Sequence, residues 1–322
     1  MNKKLKILLV IVFLVIIAYF FAANRIYNMM TITHPNCQSS YMERRRENTP
    51  TNFKGEYDTP DTEIDVSAYQ MESYEEVNFA SREDNLKISG WFVPASTESD
   101  RTIIVVHGAD MCKRNSNVLI ASGMLTRNGF NVLMIDLRNH GDSEIVSDHF
   151  AAGTEEYRDV LGAYDWLLAQ GYQPRNIGVM GVSMGAVTSI NAFSLEKGVA
   201  AIWADSSFTD IPTVLEDQLA LNGFPIFMKK GVLTIASSDG YNLESITPIK
   251  AIEDHAERPI MITHGTEDKW INVSAAEMLY ANAGPNAELW IFEDAHHVES
   301  MFIDPFTYQE RMVAFFENAL EN

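Results

Sequence analysis

The first stretch of this chain carries almost no polar positions. From Leu5 to Ala23 only Lys6 is charged, so a helix over these residues is apolar on every face. Nineteen residues at ~1.5 Å rise span about 28 Å, close to the hydrocarbon thickness of a bilayer. Lys3, Lys4 and Lys6 at its start place the N-terminus in the cytoplasm and the rest outside. A cleaved signal peptide is the competing reading, but its apolar core should be shorter, and Phe21 sits where cleavage needs a small residue. Residues 1–24 are therefore expected to be a retained, single-pass membrane anchor. Residues 25–73 lose all periodicity and read as a polar connector. It contains Met-Glu-Arg-Arg-Arg-Glu at 42–47, Pro50 and Pro60. The Arg44–Arg46 run reads as a solvated charge cluster, with contact to anionic lipid as the alternative.

From Tyr74 the pattern becomes regular. Val77 and Phe79 alternate with polar residues, Ser81 to Asn85 turns, and Leu86 and Ile88 lead into Trp91-Phe92-Val93. That predicts an antiparallel hairpin at a sheet edge. Six short, nearly continuous apolar runs follow: Thr102–Val106, Val132–Ile135, Ile177–Met180, Ala200–Ala204, Ile260–Thr263 and Glu288–Phe292. Strands so apolar are buried on both faces, as in a parallel sheet. Helices are expected near Val118–Arg127, Thr154–Ala169, Met184–Phe193, Ala275–Ala283 and Phe306–Leu320. Thr154 is placed as the N-cap of its helix, with Glu155 and Glu156 in the first turn. Strand–helix alternation predicts an α/β fold with a doubly wound sheet over residues 74–322. Residues 208–258 interrupt the rhythm and are expected to form a small cap.

Composition narrows the function classes. The chain has 24 Lys+Arg against 44 Asp+Glu, a net charge of −20. A surface this acidic repels phosphate backbones, which argues against a nucleic-acid partner. The only cysteines are Cys37 and Cys112; they form no disulfide framework and no metal-ligand spacing. They read as two free thiols, with one bridge between them as the alternative.

The chemistry concentrates at strand ends. Gly181-Val182-Ser183-Met184-Gly185 follows a strand and opens a helix. A tight turn there exposes the serine hydroxyl at the sheet edge, and small flanking residues let neighbouring backbone pass. A neutral hydroxyl needs a base, and the order serine, acid, histidine asks for a histidine after the last strand. His296 and His297 both qualify. The orienting carboxylate is expected at Asp268, directly after the strand Ile260–Thr263, where catalytic groups of α/β sheets gather. Glu267 and Asp205 are its rivals. His107, His140 and His264 read as loop-structuring residues. An oxyanion site needs two N–H donors: that of Met184 and one from the loop His107-Gly108-Ala109-Asp110, where Ala109 is the candidate.

In combination these segments resemble the α/β-hydrolase superfamily, in particular its serine-aminopeptidase-like and prolyl-oligopeptidase-like branch with many bacterial esterases. The matching stretches are Leu86–Pro94, His107-Gly108, Asp136–Ser143, Gly181–Gly185, Pro259–Asp268 and His297. The resemblance implies an α/β-hydrolase fold and a catalytic triad of Ser183, Asp268 and His297. It favours His297 over His296 through an Ala-x-His spacing, and it implies that Asp136–Ser143 supports the site without reacting. No metal and no organic cofactor is implied.

A single substrate is not implied. A carboxylic ester is the first expectation, because Leu219, Leu221, Phe224, Ile226, Phe227 and Met228 make the cap apolar enough to cover an acyl group. The same residues could simply pack the cap. A peptide is the second expectation, with Glu216, Asp217, Glu244 and Glu253 available for an amino terminus. A non-catalytic, membrane-tethered scaffold is a third reading; transfer of the acyl group to an alcohol would use the same groups.

Overall fold

The structure, a computed structural model, describes residues 2–43, 45–54, 64–253 and 257–320. Arg44 and Pro60 of the connector lie outside the described residues.

Eight strands form one sheet: β1 (Glu75–Ala80), β2 (Lys87–Val93), β3 (Thr102–Val106), β4 (Asn131–Ile135), β5 (Ile177–Val182), β6 (Ala201–Asp205), β7 (Ile260–Gly265) and β8 (Ala287–Phe292). Their spatial order is β1-β2-β4-β3-β5-β6-β7-β8. Only β2 runs against its neighbours, pairing antiparallel with β1 and β4, and the remaining pairs are parallel. The expected edge hairpin and the doubly wound sheet are both present. Strands β3 to β7 are buried at every position, which is why their apolar runs show no alternation.

Helices cover both faces. On one side lie α3 (Tyr157–Ala169), α4 (Met184–Leu195) and α8 (Ser274–Asn282). On the other lie α2 (Ser116–Thr126), the short α9 (Ser300–Ile303) and α10 (Pro305–Ala319). Between β6 and β7, within residues 208–258, come α5 (Ile211–Leu221), α6 (Met228–Ser238) and α7 (Pro248–Ala251). Asp210 caps α5 by accepting the Thr213 N–H at 2.8 Å.

Helix α3 starts three residues later than its sequence suggested. Thr154 is not its cap. The Glu156 carboxylate turns back to accept the N–H groups of Ala151 at 2.6 Å and Gly153 at 2.8 Å, so it organises the preceding loop. A side chain that can bond two free amides in a turn is lost to the helix as a first-turn carboxylate.

Helix α1 (Lys3–Thr31) is one 29-residue element whose apolar stretch has a mean hydropathy of 2.9 and lies wholly exposed. By length and composition it can cross a membrane. It continues past residue 24, and there Ala23, Ile26, Tyr27 and Thr31 are buried against the α/β body. Met42, Phe53 and Met71 of the following segment are buried too, and Cys37 is joined to Cys112 in a disulfide. The free-thiol expectation is therefore corrected. The thiols are 75 residues apart in sequence, and only the return of the chain over the loop after β3 brings their Cα atoms to 5.8 Å.

Candidate active site

Strand β5 runs straight into α4, and Ser183 is the residue between them. It sits at φ 54°, ψ −122°, far outside the usual regions for a side-chain-bearing residue. Its N–H continues the ladder by donating to the Asp205 carbonyl at 2.8 Å. The flanking glycines are sterically required. A Cβ on Gly181 would lie 2.2 Å from the Gly185 carbonyl oxygen, and one on Gly185 would lie 2.4 Å from that of Val106. The turn thus packs backbone on backbone and leaves the serine hydroxyl at the C-terminal edge of the sheet, partly exposed.

His297 and Asp268 meet this hydroxyl. Nε2 of His297 lies 2.9 Å from Ser183 Oγ, and Nδ1 of His297 lies 2.7 Å from Asp268 Oδ2. An ionised carboxylate only accepts, so Nδ1 carries the proton and Nε2 is free to accept from the hydroxyl. Asp268 Oδ1 accepts the N–H groups of Trp270 at 2.8 Å and Ile271 at 2.9 Å. Nε2 of His264 stands 3.1 Å from Oδ2. Burial works against charge on Asp268, but the bonds from His264 and His297 win and hold its carboxyl well below the usual range. His264 is affected in the opposite sense: burial lowers its proton affinity, yet the bond to Asp268 and the Ile271 carbonyl leave it raised.

The rivals stand elsewhere. His296 is exposed, and its Nδ1 lies 3.0 Å from the Glu267 carbonyl. Glu267 is itself exposed. Asp205 is fully buried, accepting from Ser206 Oγ at 2.9 Å and Tyr308 Oη at 3.0 Å. Burial pushes its carboxyl up. Its neighbour Ser206 takes the Val298 N–H at 3.2 Å, so Asp205 helps hold the loop that carries His297. That loop is strained: Val298, a β-branched residue, sits at φ 55°.

The loop after β3 closes over the serine. A Cβ on Gly108 would lie 3.3 Å from Ser183 Cβ, so the backbone of the next residue, Ala109, runs beside the hydroxyl. Among the described residues no backbone acceptor bonds the N–H of Ala109 or of Met184. The loop is pinned from beneath. His107 donates Nδ1–H to the Gly108 carbonyl at 2.7 Å and accepts the Leu137 N–H on Nε2 at 3.0 Å. It is neutral: burial, helped by the neighbouring His140, lowers it to about 3. Asp136, fully buried, accepts from the Lys113 N–H at 2.7 Å, the Lys113 ammonium and the Asp142 N–H. The Asp136–Ser143 segment thus braces the loop and contributes no side chain to the Ser183–His297–Asp268 chain.

Two supports of this loop were not the first reading of the sequence. One is the bridge from Cys37 to Cys112, three residues after Ala109. The other is His34, whose Nδ1 lies 2.6 Å from Asp110 Oδ1. The available signal was the cysteine count, since the chain holds these two cysteines and no others.

Similarity to known proteins covers most of the α/β body. The model of the prolyl oligopeptidase family matches residues 120–322. The uncharacterised protein YqkD of Bacillus subtilis is 30% identical over 242 residues, 72% of this chain and 75% of its own. YfhR of Escherichia coli is 27% identical over 258 residues, 77% of this chain and 82% of its own. Among solved structures, the esterase Pf2001 of Pyrococcus furiosus superposes with a TM-score of 0.64 at 26% identity, covering 81% of this chain and 96% of its own. The acylaminoacyl peptidase of Pyrococcus horikoshii shares the fold with a TM-score of 0.59 at 18% identity, over 78% of this chain and 42% of its own.

Proposed function

The chain belongs to the prolyl oligopeptidase family of α/β-hydrolases, and on that premise we propose that it is a membrane-anchored, extracytoplasmic serine esterase working through Ser183, His297 and Asp268. The observation that carries the reading is the unbroken series of hydrogen bonds from Asp268 through His297 to Ser183 at the sheet edge.

In the reaction, His297 Nε2 takes the Ser183 proton as Oγ attacks the ester carbonyl carbon. The Ala109 and Met184 N–H groups receive the developing oxyanion; one such donor contributes about 10²–10³ in rate. Collapse of the tetrahedral intermediate breaks the bond to the leaving oxygen, which takes the proton from His297 and departs as the alcohol. Water then attacks the acyl-serine with His297 as base again, releasing the acid. Asp268 holds the Nδ1–H tautomer and stabilises the imidazolium. A non-catalytic scaffold would have no need of this alignment or of the strained turn at Ser183.

An ester is placed before a peptide because the esterase of Pyrococcus furiosus is similar at 26% identity over 81% of this chain. Of the carboxylates available for a substrate amino terminus, Glu216 is paired with Lys229. The Cys37–Cys112 bridge supports an oxidising compartment, and the lysines before the apolar run support the matching orientation of α1.

The test uses the full chain in detergent, assayed on p-nitrophenyl esters of graded length beside aminoacyl p-nitroanilides, with Ser183→Ala as control. Ester turnover lost in Ser183→Ala is the expected result. Turnover of the anilides alone would move the chain to the peptidases. No turnover and no labelling of Ser183 by a fluorophosphonate would leave the scaffold reading.

A further inference from the structure

The cap contains large apolar residues that stand exposed. Leu219 and Met228 are buried, but Leu221, Ile226 and Phe227 are 52%, 56% and 63% exposed. They stand at the turn between α5 and α6, and that turn touches α1. The Tyr19 hydroxyl donates to the Phe227 carbonyl at 3.0 Å, and the Tyr19 and Phe227 rings stack with centroids 6.2 Å apart. One turn further along α6, a Cβ on Gly231 would lie 2.8 Å from the Ala23 Cβ and 2.9 Å from the Tyr19 ring. Helix α6 therefore lies directly on the membrane-spanning helix, with only a glycine between them.

This contact sets a height. Tyr19 precedes Ala23, the end of the apolar run, by four residues, or about 6 Å along the helix axis. A group level with Tyr19 sits inside the boundary between headgroups and acyl chains, where apolar side chains of surface-bound helices bury ~5–10 Å. Lys229 and Lys230 follow directly in the first turn of α6; Lys229 is paired with Glu216, and Lys230 is exposed. Apolar tip below and a cation above is the order that an anionic lipid surface favours.

We propose that the α5–α6 turn of the cap is seated in the outer-leaflet interface of the bilayer, with Leu221, Ile226 and Phe227 in the acyl region and Lys230 at the headgroups. The occupant of this patch is the lipid surface. The inference rests on the reading of α1 as a retained membrane span. It makes the cap a fixed part of the membrane-facing side.

The test is a depth measurement on the full chain in vesicles of phosphatidylcholine and phosphatidylglycerol. Both native cysteines are in the disulfide, so a new thiol is the sole labelling site. Ile226→Cys, and separately Leu221→Cys, is labelled with an environment-sensitive fluorophore. Phe306→Cys serves as reference, because Phe306 is 68% exposed on α10, across the sheet from α1. The expected result is blue-shifted emission that lipid-borne nitroxide quenches at 226 and 221, with water-like, unquenched emission at 306. Water-like emission at 226 and 221 in protein that floats with the vesicles would overturn the proposal and leave the anchor standing. Protein that does not float with the vesicles would overturn the anchor reading and the proposal together.

Discussion

Single residues carry the proposed chemistry, and their geometry separates roles that spacing left open. His296 and His297 are adjacent in sequence, but only His297 faces Ser183 while His296 reaches the Glu267 carbonyl. His296→Ala should then change ester turnover less than tenfold, whereas Asp268→Asn should lower kcat about 10⁴-fold by favouring the wrong tautomer of His297. Steady-state kinetics on one p-nitrophenyl ester compares the two. The reverse ranking would exchange the assignments. The buried histidines also set the acid limit of stability. His107 holds a proton only near pH 3 in the folded chain, against an ordinary value of 6.5, and burial lowers His140 in the same direction. Between those values the unfolded chain binds the extra protons, so stability rises with pH and is lost as pH falls from about 6.5. Asp268 acts in the same sense further down: its lowered carboxyl contributes stability that disappears as pH drops below the ordinary carboxylate range. His107→Gln should flatten the dependence of the urea midpoint on pH between 6.5 and 4; an unchanged slope would remove His107 from this account.

Among the elements, the loop after β3 is the one most dependent on partners distant in sequence. Its backbone passes Ser183 at Gly108, and it is tied by His107 to Leu137, by Lys113 to Asp136 and by Cys112 to Cys37. Closing a loop of 75 residues stabilises the folded state by ~4 kcal/mol in the chain-entropy account. The Cys37→Ser, Cys112→Ser double variant should therefore unfold at lower urea concentration by an amount of that order, read by circular dichroism with the wild type in and out of reductant. Equal midpoints in all samples would mean that the bridge does not form in solution. The strands themselves were legible: β3 to β7 are apolar runs because both faces are covered, and β1 alternates because one face is open. The start of α3 was not legible, since Glu156 serves two loop amides that only the folded turn presents.

At the scale of the whole molecule, helix α1 and the α/β body form one packed unit. Helix α1 enters the body without a break, burying Ala23, Ile26 and Tyr27, and a fully buried large apolar side chain contributes about 1.5–3 kcal/mol. The orientation read from Lys3, Lys4 and Lys6 leads to an expected topology. Full-length protein in intact cells should resist alkaline carbonate extraction, and a membrane-impermeant amine reagent should label it on the body's lysines. Protection from that reagent until the cells are lysed would place the body in the cytoplasm.

What the sequence determined by itself is whatever short-range patterning dictates. The apolar run of α1, the strand–helix alternation and the small-residue turn around Ser183 all depend on neighbours within a few positions. Tertiary structure alone decided that Asp205 belongs to a buried network with Ser206 and Tyr308, that Cys37 meets Cys112, and that the α5–α6 turn lies against α1. Each of these is a contact between segments far apart in the chain. Its formation depends on how the layers pack, and residue spacing does not carry that information.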